Sequence, residues 1–314
     1  MKKILLSLSM IAAVAVVGVG ATGAFFSDSE TSTGNTFTAG AIDLGVDNES
    51  YYNNQPNPKT SWALDWDIDN TEYTGDDPRT TDQEGTDHVY SLPVPRQFFN
   101  FNDLKPGDSG EDTISLHVNN NDSWLCADVT LTSNADNSIN EPEADAGDVT
   151  DGYWAGELAN RVKWYWWADD GDNVYEKCAR QTDGQFVDSQ CKDENLITGS
   201  GQAFPNASAT TTFPVTLADS TTNIWANATG TPLTGASTRF IGKAWCFGDS
   251  NFTPYPQDGL GSTGSNGPDD GRGVVCDGSD ETNITQTDSM TMDVSFRAVQ
   301  SRHNGTFTCV NPQS

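Results

Sequence analysis

The residues of this chain that are best suited to chemistry are three histidines, one acidic loop and six cysteines. His88, His117 and His303 lie far apart, and none belongs to an H-E-x-x-H motif, which places two zinc-binding histidines on one helix face. Each histidine is therefore expected to be an ordinary strand or loop residue. A G-x-S-x-G nucleophile motif is also absent from the sequence. The sequence thus predicts no catalytic residues and a protein that is not an enzyme.

The acidic loop "WWADDGDNVYEKC", residues 166–178, is the best candidate for binding an ion. Calcium takes about six to eight oxygen ligands, and a tight turn at glycine lets several of them converge. The loop departs from the EF-hand template, and an Asp-Gly pair is also a strong signal for a simple hairpin turn. Both interpretations stay open, and calcium is the only cofactor that the sequence suggests. The candidate ligands are Asp169, Asp170, Asp172, Asn173 and Glu176.

The cysteines show no C-x-x-C pair and none lies beside a histidine, so a metal site is not indicated. In an exported chain, an even number of cysteines is typical of disulfides, with free buried thiols as the alternative. The favoured pairs are Cys178 with Cys191 across a polar hairpin, Cys246 with Cys276 across a glycine-rich loop, and Cys126 with Cys309.

The N-terminus has the pattern of a signal peptide. Lys2 and Lys3 precede an apolar run, and small residues follow it, so residues 1–24 are expected to be removed by cleavage between Ala24 and Phe25. The apolar run is shorter than the roughly 20 residues of a spanning helix, although an uncleaved anchor is the alternative. The protein is therefore expected to be secreted, extracellular or at the cell surface, with no membrane span after cleavage.

The chain is strongly acidic, with a formal net charge of −29. Cleavage would remove two lysines and no acid, which changes −29 to −31. Such a charge disfavours nucleic acid and anionic membranes as partners. It suits cations or a salty medium, and the acidity does not by itself choose between calcium binding and adaptation to salt.

Short runs rich in β-branched and aromatic residues alternate with polar clusters, a pattern typical of an all-β protein. One antiparallel β-sandwich is expected over residues 47–314, with acidic insertions near 47–97, 135–155 and 249–288. Residues 156–162 are the one predicted helix. The predicted strands are 113–118, 125–133, 161–168, 210–218, 238–248 and 289–299.

The strand at 161–168 contains four consecutive large rings, Trp164, Tyr165, Trp166 and Trp167. Since side chains alternate along a strand, two rings point to each face. The rings on the outer face need either an insertion that packs over them or a ligand such as a glycan.

Three blocks of the sequence resemble the TasA/camelysin family of secreted proteins. They are "TGAFFSDSETSTGNTFTAGAIDL" at 22–44, "FNFNDLKPGDSGEDTISLHVNNND" at 99–122 and "MTMDVSFRAVQ" at 290–300. The resemblance implies a jelly-roll-like sandwich and a SipW-type signal peptide that is cut by a dedicated signal peptidase. It also implies that the chain is a structural protein of the extracellular matrix or cell surface, which in some members forms biofilm fibres.

In fibre-forming relatives, the N-terminal segment of one subunit completes the sheet of its neighbour. Residues 25–46 are suited to this role, because two phenylalanines precede a polar linker and an extended segment. The alternative is that the segment folds into its own sheet. The residues expected to mediate assembly are Phe25, Phe26, Phe37, Ala39, Ala41 and Leu44.

The favoured function is therefore a subunit that assembles with copies of itself. A second hypothesis is a monomeric, calcium-dependent surface module that binds a glycan or a protein. A remote third is a camelysin-like metallopeptidase.

Overall fold

Two antiparallel sheets form the frame of the computed structural model, which describes residues 27–28, 42–65, 97–188, 191–204, 207–226, 230–261 and 267–310. The strands are β1 (Ser27–Asp28), β2 (Leu44–Tyr52), β3 (Gln55–Pro56), β4 (Trp62–Asp65), β5 (Ser109–Val118), β6 (Ser123–Asp136), β7 (Val162–Asp169), β8 (Glu176–Lys177), β9 (Thr211–Ala218), β10 (Ser237–Phe247), β11 (Asp249–Asn251), β12 (Tyr255–Pro256), β13 (Val275–Asp277) and β14 (Asp288–Gln300). The helices of this part are α1 (Glu141–Ala146), α2 (Leu158–Arg161) and the 3-10 turns Pro268–Asp270 and Asn283–Thr285.

The larger sheet has the strand order β3-β2-β5-β10-β7, with β4 also paired to β2, and the smaller sheet has the order β1-β14-β6-β9. From β5 onward, the long strands alternate between the two sheets along the chain. This arrangement confirms the prediction of an all-β, sandwich-like fold. Each of the six predicted strands is present, and the predicted helix is the single turn α2.

One apolar cluster joins the two sheets. Leu125 and Leu131 of β6 are completely buried in it, together with Ile114 of β5 and Ile241 of β10. These residues follow the alternation of a strand with one apolar face. Burial of each such side chain contributes roughly 1.5–3 kcal/mol, so the contact between the sheets is the main source of stability.

The strand β2 differs from expectation, because most of it lies in the range predicted to be an insertion. Its nine residues pair with β5 from Leu44 opposite Val118 to Tyr52 opposite Gly110. The polar residue Asn48 is only 3% exposed, and its side-chain amide donates to the carbonyl of Thr60 at 2.7 Å. Such hydrogen bonds allow polar side chains to be buried in β2, so the strand lacks the apolar alternation that identifies the others.

Three disulfides connect the cysteines as the sequence favoured. They are Cys126–Cys309, Cys178–Cys191 and Cys246–Cys276, and no cysteine is free. The first connects β6 to the segment that follows β14, the second closes the loop that follows β8, and the third connects β10 to β13. Such bonds are typical of proteins that fold in an oxidising compartment.

No helix in the described ranges is long and apolar enough to cross a membrane.

The middle of the larger sheet contains two buried acids and one buried base. The Lys243 ammonium lies 2.7 Å from the carboxylate of Asp112, and both side chains are almost inaccessible. The neighbouring Glu111 is 2% exposed and accepts a hydrogen bond from the amide of Val274 at 2.5 Å. Burial raises the pKa of Glu111 to about 8.

The raised pKa of Glu111 predicts an unusual dependence of stability on pH. The folded protein keeps a proton on Glu111 that the unfolded chain releases above its ordinary pKa. This contribution to stability is therefore complete at pH 4 and is lost as the pH rises toward 8, by up to about 1.4 kcal/mol per pH unit. Glu111→Gln is expected to flatten the slope of the free energy of unfolding between pH 5 and 8, as measured by urea titration.

The matched control is Glu141→Gln, which removes the same charge from an exposed position on α1. It should leave the slope as in the parent protein. Equal slopes for the parent and the Glu111→Gln variant would contradict the assignment of a proton to Glu111.

Candidate functional site: a strand edge and an acidic loop

The outer edge of β14 is largely unpaired among the described residues. On one side, β14 pairs with β6 along its whole length, from Asp288 to Gln300. On the other side its partner is β1, which reaches only Val299 and Ala298, opposite Ser27 and Asp28. Among the described residues, positions 288–297 therefore have no strand partner on that side. An unpaired edge of this length is a template for another strand.

A cleft lined by both apolar and polar residues lies beside this edge. Met290, Met292 and Val294 on the inner face of β14 are partly buried, whereas the residues between them are exposed, as predicted from the alternating sequence. The cleft has a volume of about 1050 Å³ within the described part, and its other lining includes Trp164 and Trp245. An apolar cleft along a strand edge can receive the alternate side chains of an added strand.

Of the predicted assembly residues, Leu44 is the one that lies within the described residues. Leu44 begins β2 and pairs with Val118, so the end of the predicted donor segment belongs to the subunit's own larger sheet. Ser27 and Asp28, two residues beyond the predicted cleavage site, lie at the β14 edge of the same chain. Five assembly residues and the residue before the cleavage site lie outside the described residues: Ala24, Phe25, Phe26, Phe37, Ala39 and Ala41.

The acidic loop follows β7, and Asp169 shapes its turn. One oxygen of Asp169 accepts a hydrogen bond from the indole of Trp167 at 2.8 Å, and the other accepts from the amides of Gly171 and Asn173 at 3.0 and 3.1 Å. Gly171 has a φ of 116°, which favours glycine. Burial is the main cause that raises the pKa of Asp169 well above its ordinary value, followed by repulsion from Asp172.

Three carboxylates of this region converge. Asp172, Glu176 and Asp258 each bring one oxygen to within 4.8 Å of the others. The guanidinium of Arg272 lies 3.9 Å from both Glu176 and Asp258, so an arginine already supplies positive charge there. Burial is the main cause that raises the pKa of Glu176 to about 8.

The structure thus places two of the predicted ligands, Asp172 and Glu176, in one carboxylate group. Asp170 binds Gln257 through one carboxylate oxygen at 3.2 Å, and Asp169 and Asn173 also lie outside the group. Calcium at this loop stays a prediction.

Sequence reasoning missed Asp258 and Glu194. The carboxylate of Glu194 accepts from the amides of Asp170 and Glu176 at 2.9 and 2.8 Å. Its pKa is raised to about 11, mainly by burial and then by repulsion from Asp169. Both acids come from loops distant in the sequence, and no spacing pattern links them to residues 166–178.

The outer face of the aromatic strand is covered by the protein itself. The ring of Phe252 lies 4.6 Å from that of Tyr165 and 5.2 Å from that of Trp167, and Tyr175 packs on the same cluster. Trp167 is completely buried. Insertion packing therefore occupies the surface that a stacked glycan would need.

The described histidines do not form a metal site. The ring of His117 is engaged at both nitrogens, with Asp47 at 2.8 Å and Thr238 at 3.0 Å, and His303 is an exposed turn residue. His88 lies outside the described residues. The groups of potential metal ligands in the described ranges consist of aspartate and glutamate only.

A comparison with curated proteins finds no match for this chain. A comparison with protein families finds one, described as camelysin metallo-endopeptidase, over residues 2–70. The matched residues cover the predicted signal peptide, the predicted donor segment and β2, and they contain no histidine. The N-terminal part of this chain is thus similar to the camelysin family, which confirms the family resemblance of the first sequence block.

Proposed function

We propose that this chain is an exported structural protein of the extracellular matrix or cell surface, whose subunits assemble into filaments through their N-terminal segments. The single observation that carries the proposal is the outer edge of β14. Its only described partner is Ser27–Asp28, which belongs to the segment just after the expected cleavage site.

Donation of this segment between subunits would give a strand partner to the positions of β14 for which the described residues supply none. A strand from residues 25–41 would supply main-chain hydrogen bonds to positions 288–297, and its side chains, most commonly serine and threonine, would lie along the cleft beside Met290 and Met292. If the segment occupies the β14 edge of a neighbour instead of its own, each subunit gives one strand and receives one. Such a head-to-tail contact need not close on itself, so filaments result.

Further properties support an extracellular role. The three disulfides suit an oxidising compartment, and the family match includes the signal-like N-terminus. The negative charge of each subunit opposes association at low ionic strength, so assembly should be favoured by salt or divalent cations.

Negative-stain electron microscopy of the chain that begins at Phe25 tests the proposal. We expect regular fibres in salt that persist after gel filtration. Discrete monomers in both calcium and chelator would overturn it, and would favour a monomeric binding module.

The camelysin description favours a second candidate function, a metallopeptidase. The carboxylate groups of the described residues lack the histidines that zinc peptidases use, so we expect no casein cleavage by the purified chain. Cleavage that is abolished by a chelator and restored by zinc would establish the peptidase instead.

A further inference from the structure

A second group of acids, which the sequence did not single out, lies where β6 ends and β14 begins. Asp136 and Asp288 are direct partners in the register of these two strands. Together with Glu143 of α1, each brings one oxygen to within 4.8 Å of the other two. Like charges directly opposite each other destabilise a pair of strands, so this arrangement requires something that offsets the repulsion.

The carboxylates of Asp136 and Asp148 are each held by one oxygen. The first accepts from the amide of Ser138 at 3.0 Å, and the second accepts from the amide of Thr150 at 3.1 Å. Asp136 is 3% exposed and Asp148 is 4% exposed. In both residues, the opposite oxygen is buried and has no hydrogen-bond partner.

Asp288 repeats this arrangement from the other strand. One of its oxygens accepts from the amides of Glu157 and Leu158 at 2.7 and 2.9 Å, which fixes the start of α2 against β14. Its second oxygen is buried without a partner, as is one oxygen of Glu157. The main chain therefore orients these carboxylates and leaves one oxygen of each unsatisfied.

No ion pair formed by described residues includes Asp136, Asp148, Glu157 or Asp288. In this respect the group differs from the acidic loop, where Arg272 lies close to two of the carboxylates. A buried carboxylate oxygen without a hydrogen-bond donor is costly, and four such oxygens in one region favour either bound protons or a bound cation.

The chemistry of the group favours a cation. Every free ligand atom is an oxygen, and main-chain hydrogen bonds orient three of the four carboxylates, as in metal sites where outer contacts position the ligands. Hard oxygen ligands select calcium or magnesium, and calcium accepts irregular sets of carboxylates more readily. Glu143, the third converging carboxylate, is held in place by its own contacts, since its oxygens accept from the amide of Asn140 and the hydroxyl of Thr287.

We propose that Asp136, Glu143 and Asp288 form the centre of a calcium-binding site, with the carboxylates of Asp148 and Glu157 beside it, that fixes α1 and α2 to the first residues of β14. The proposal is independent of filament assembly, although the strand that it fixes is the one with the open edge.

Calorimetric titration of calcium into the chelator-treated chain that begins at Phe25 tests the site. The variant is Asp136→Asn/Asp288→Asn, and the control Asp145→Asn/Asp151→Asn removes the same charge from exposed positions nearby. We expect the variant to weaken this calcium site by at least about 100-fold, the scale for removing charges that pair with a buried ion. The control should bind as the parent does.

Thermal unfolding at constant ionic strength gives a second readout. It compares the effect of calcium on the parent with the effect of the substitutions in the absence of calcium. Calcium at about 100 times its Kd should raise the melting temperature of the parent by about 5 °C. In chelator, the variant should be at least as stable as the parent, because the asparagines relieve repulsion between the strands. Should the double variant fail to fold, Glu157→Gln carries the same expectation for calcium affinity.

Three results would overturn the proposal. The first is a parent protein whose melting temperature calcium does not change. The second is equal calcium binding by the parent and the variant. The third is an equal effect of calcium and sodium at matched ionic strength, which would show charge screening only.

Discussion

Deletion of residues 25–32 is expected to leave a folded protein that no longer forms filaments. The deletion removes Phe25, Phe26 and the described strand Ser27–Asp28, which is the described partner of the β14 edge. The core between the sheets lies elsewhere, so the melting temperature should change little. Electron microscopy and sedimentation measure the loss. A chain in which Gly and Ser replace residues 25–32 at the same length is the control for the linker, and it should also remain monomeric.

Cysteine cross-linking shows whether the strand joins its own subunit or the next one. Ser27 is the register partner of Val299, so Ser27→Cys/Val299→Cys places two thiols across the strand pair. Assembled filaments that donate strands between subunits should give a ladder of covalent oligomers on a non-reducing gel. A single monomer band from intact filaments would mean that the strand stays in its own sheet, and some other contact then holds the filament together. The two single variants control for exchange with the native disulfides.

The fold was predictable where side chains alternate between apolar and polar. In β14, Met290, Met292 and Val294 face inward between exposed neighbours, and this pattern alone identifies a strand with one buried face. In β2, the buried residues Asn48 and Ser50 donate hydrogen bonds to residues that follow in the chain, Asn48 from its side-chain amide and Ser50 from its main-chain amide. Their partners are known only once the chain has folded, so hydropathy does not identify this strand.

The acidic sites were less predictable, because their members meet only through the sheet register. The loop of residues 166–178 was visible as a local cluster, yet its third converging carboxylate, Asp258, lies far along the chain. Asp136 and Asp288 are separated by 152 positions and become neighbours because β6 and β14 pair. In a chain this rich in acids, no local spacing distinguishes these two from the rest.

Removal of the Cys126–Cys309 disulfide is expected to cause the largest loss of stability of any single cross-link. Its cysteines are separated by 183 positions, and loop-closure entropy predicts a loss of about 5 kcal/mol in the free energy of unfolding. The bond also attaches the C-terminal segment to β6. Two hydrogen bonds hold the same segment, from the amide of Cys309 to Asp219 at 3.1 Å and from the indole of Trp124 to Asn304 at 2.8 Å. Cys126→Ala/Cys309→Ala should therefore lower the melting temperature by about 10 °C.

The matched control is Cys178→Ala/Cys191→Ala, whose cysteines are separated by 13 positions, for which the same model predicts a loss of about 3 kcal/mol. Urea unfolding under non-reducing conditions compares the two variants, and thiol titration verifies that the remaining disulfides are intact. Equal losses would show that loop length does not govern the effect. A larger loss for the short loop would mean that Cys178–Cys191 chiefly supports the acidic loop beside it. The C-terminal segment would then be held by its hydrogen bonds and packing rather than by Cys126–Cys309.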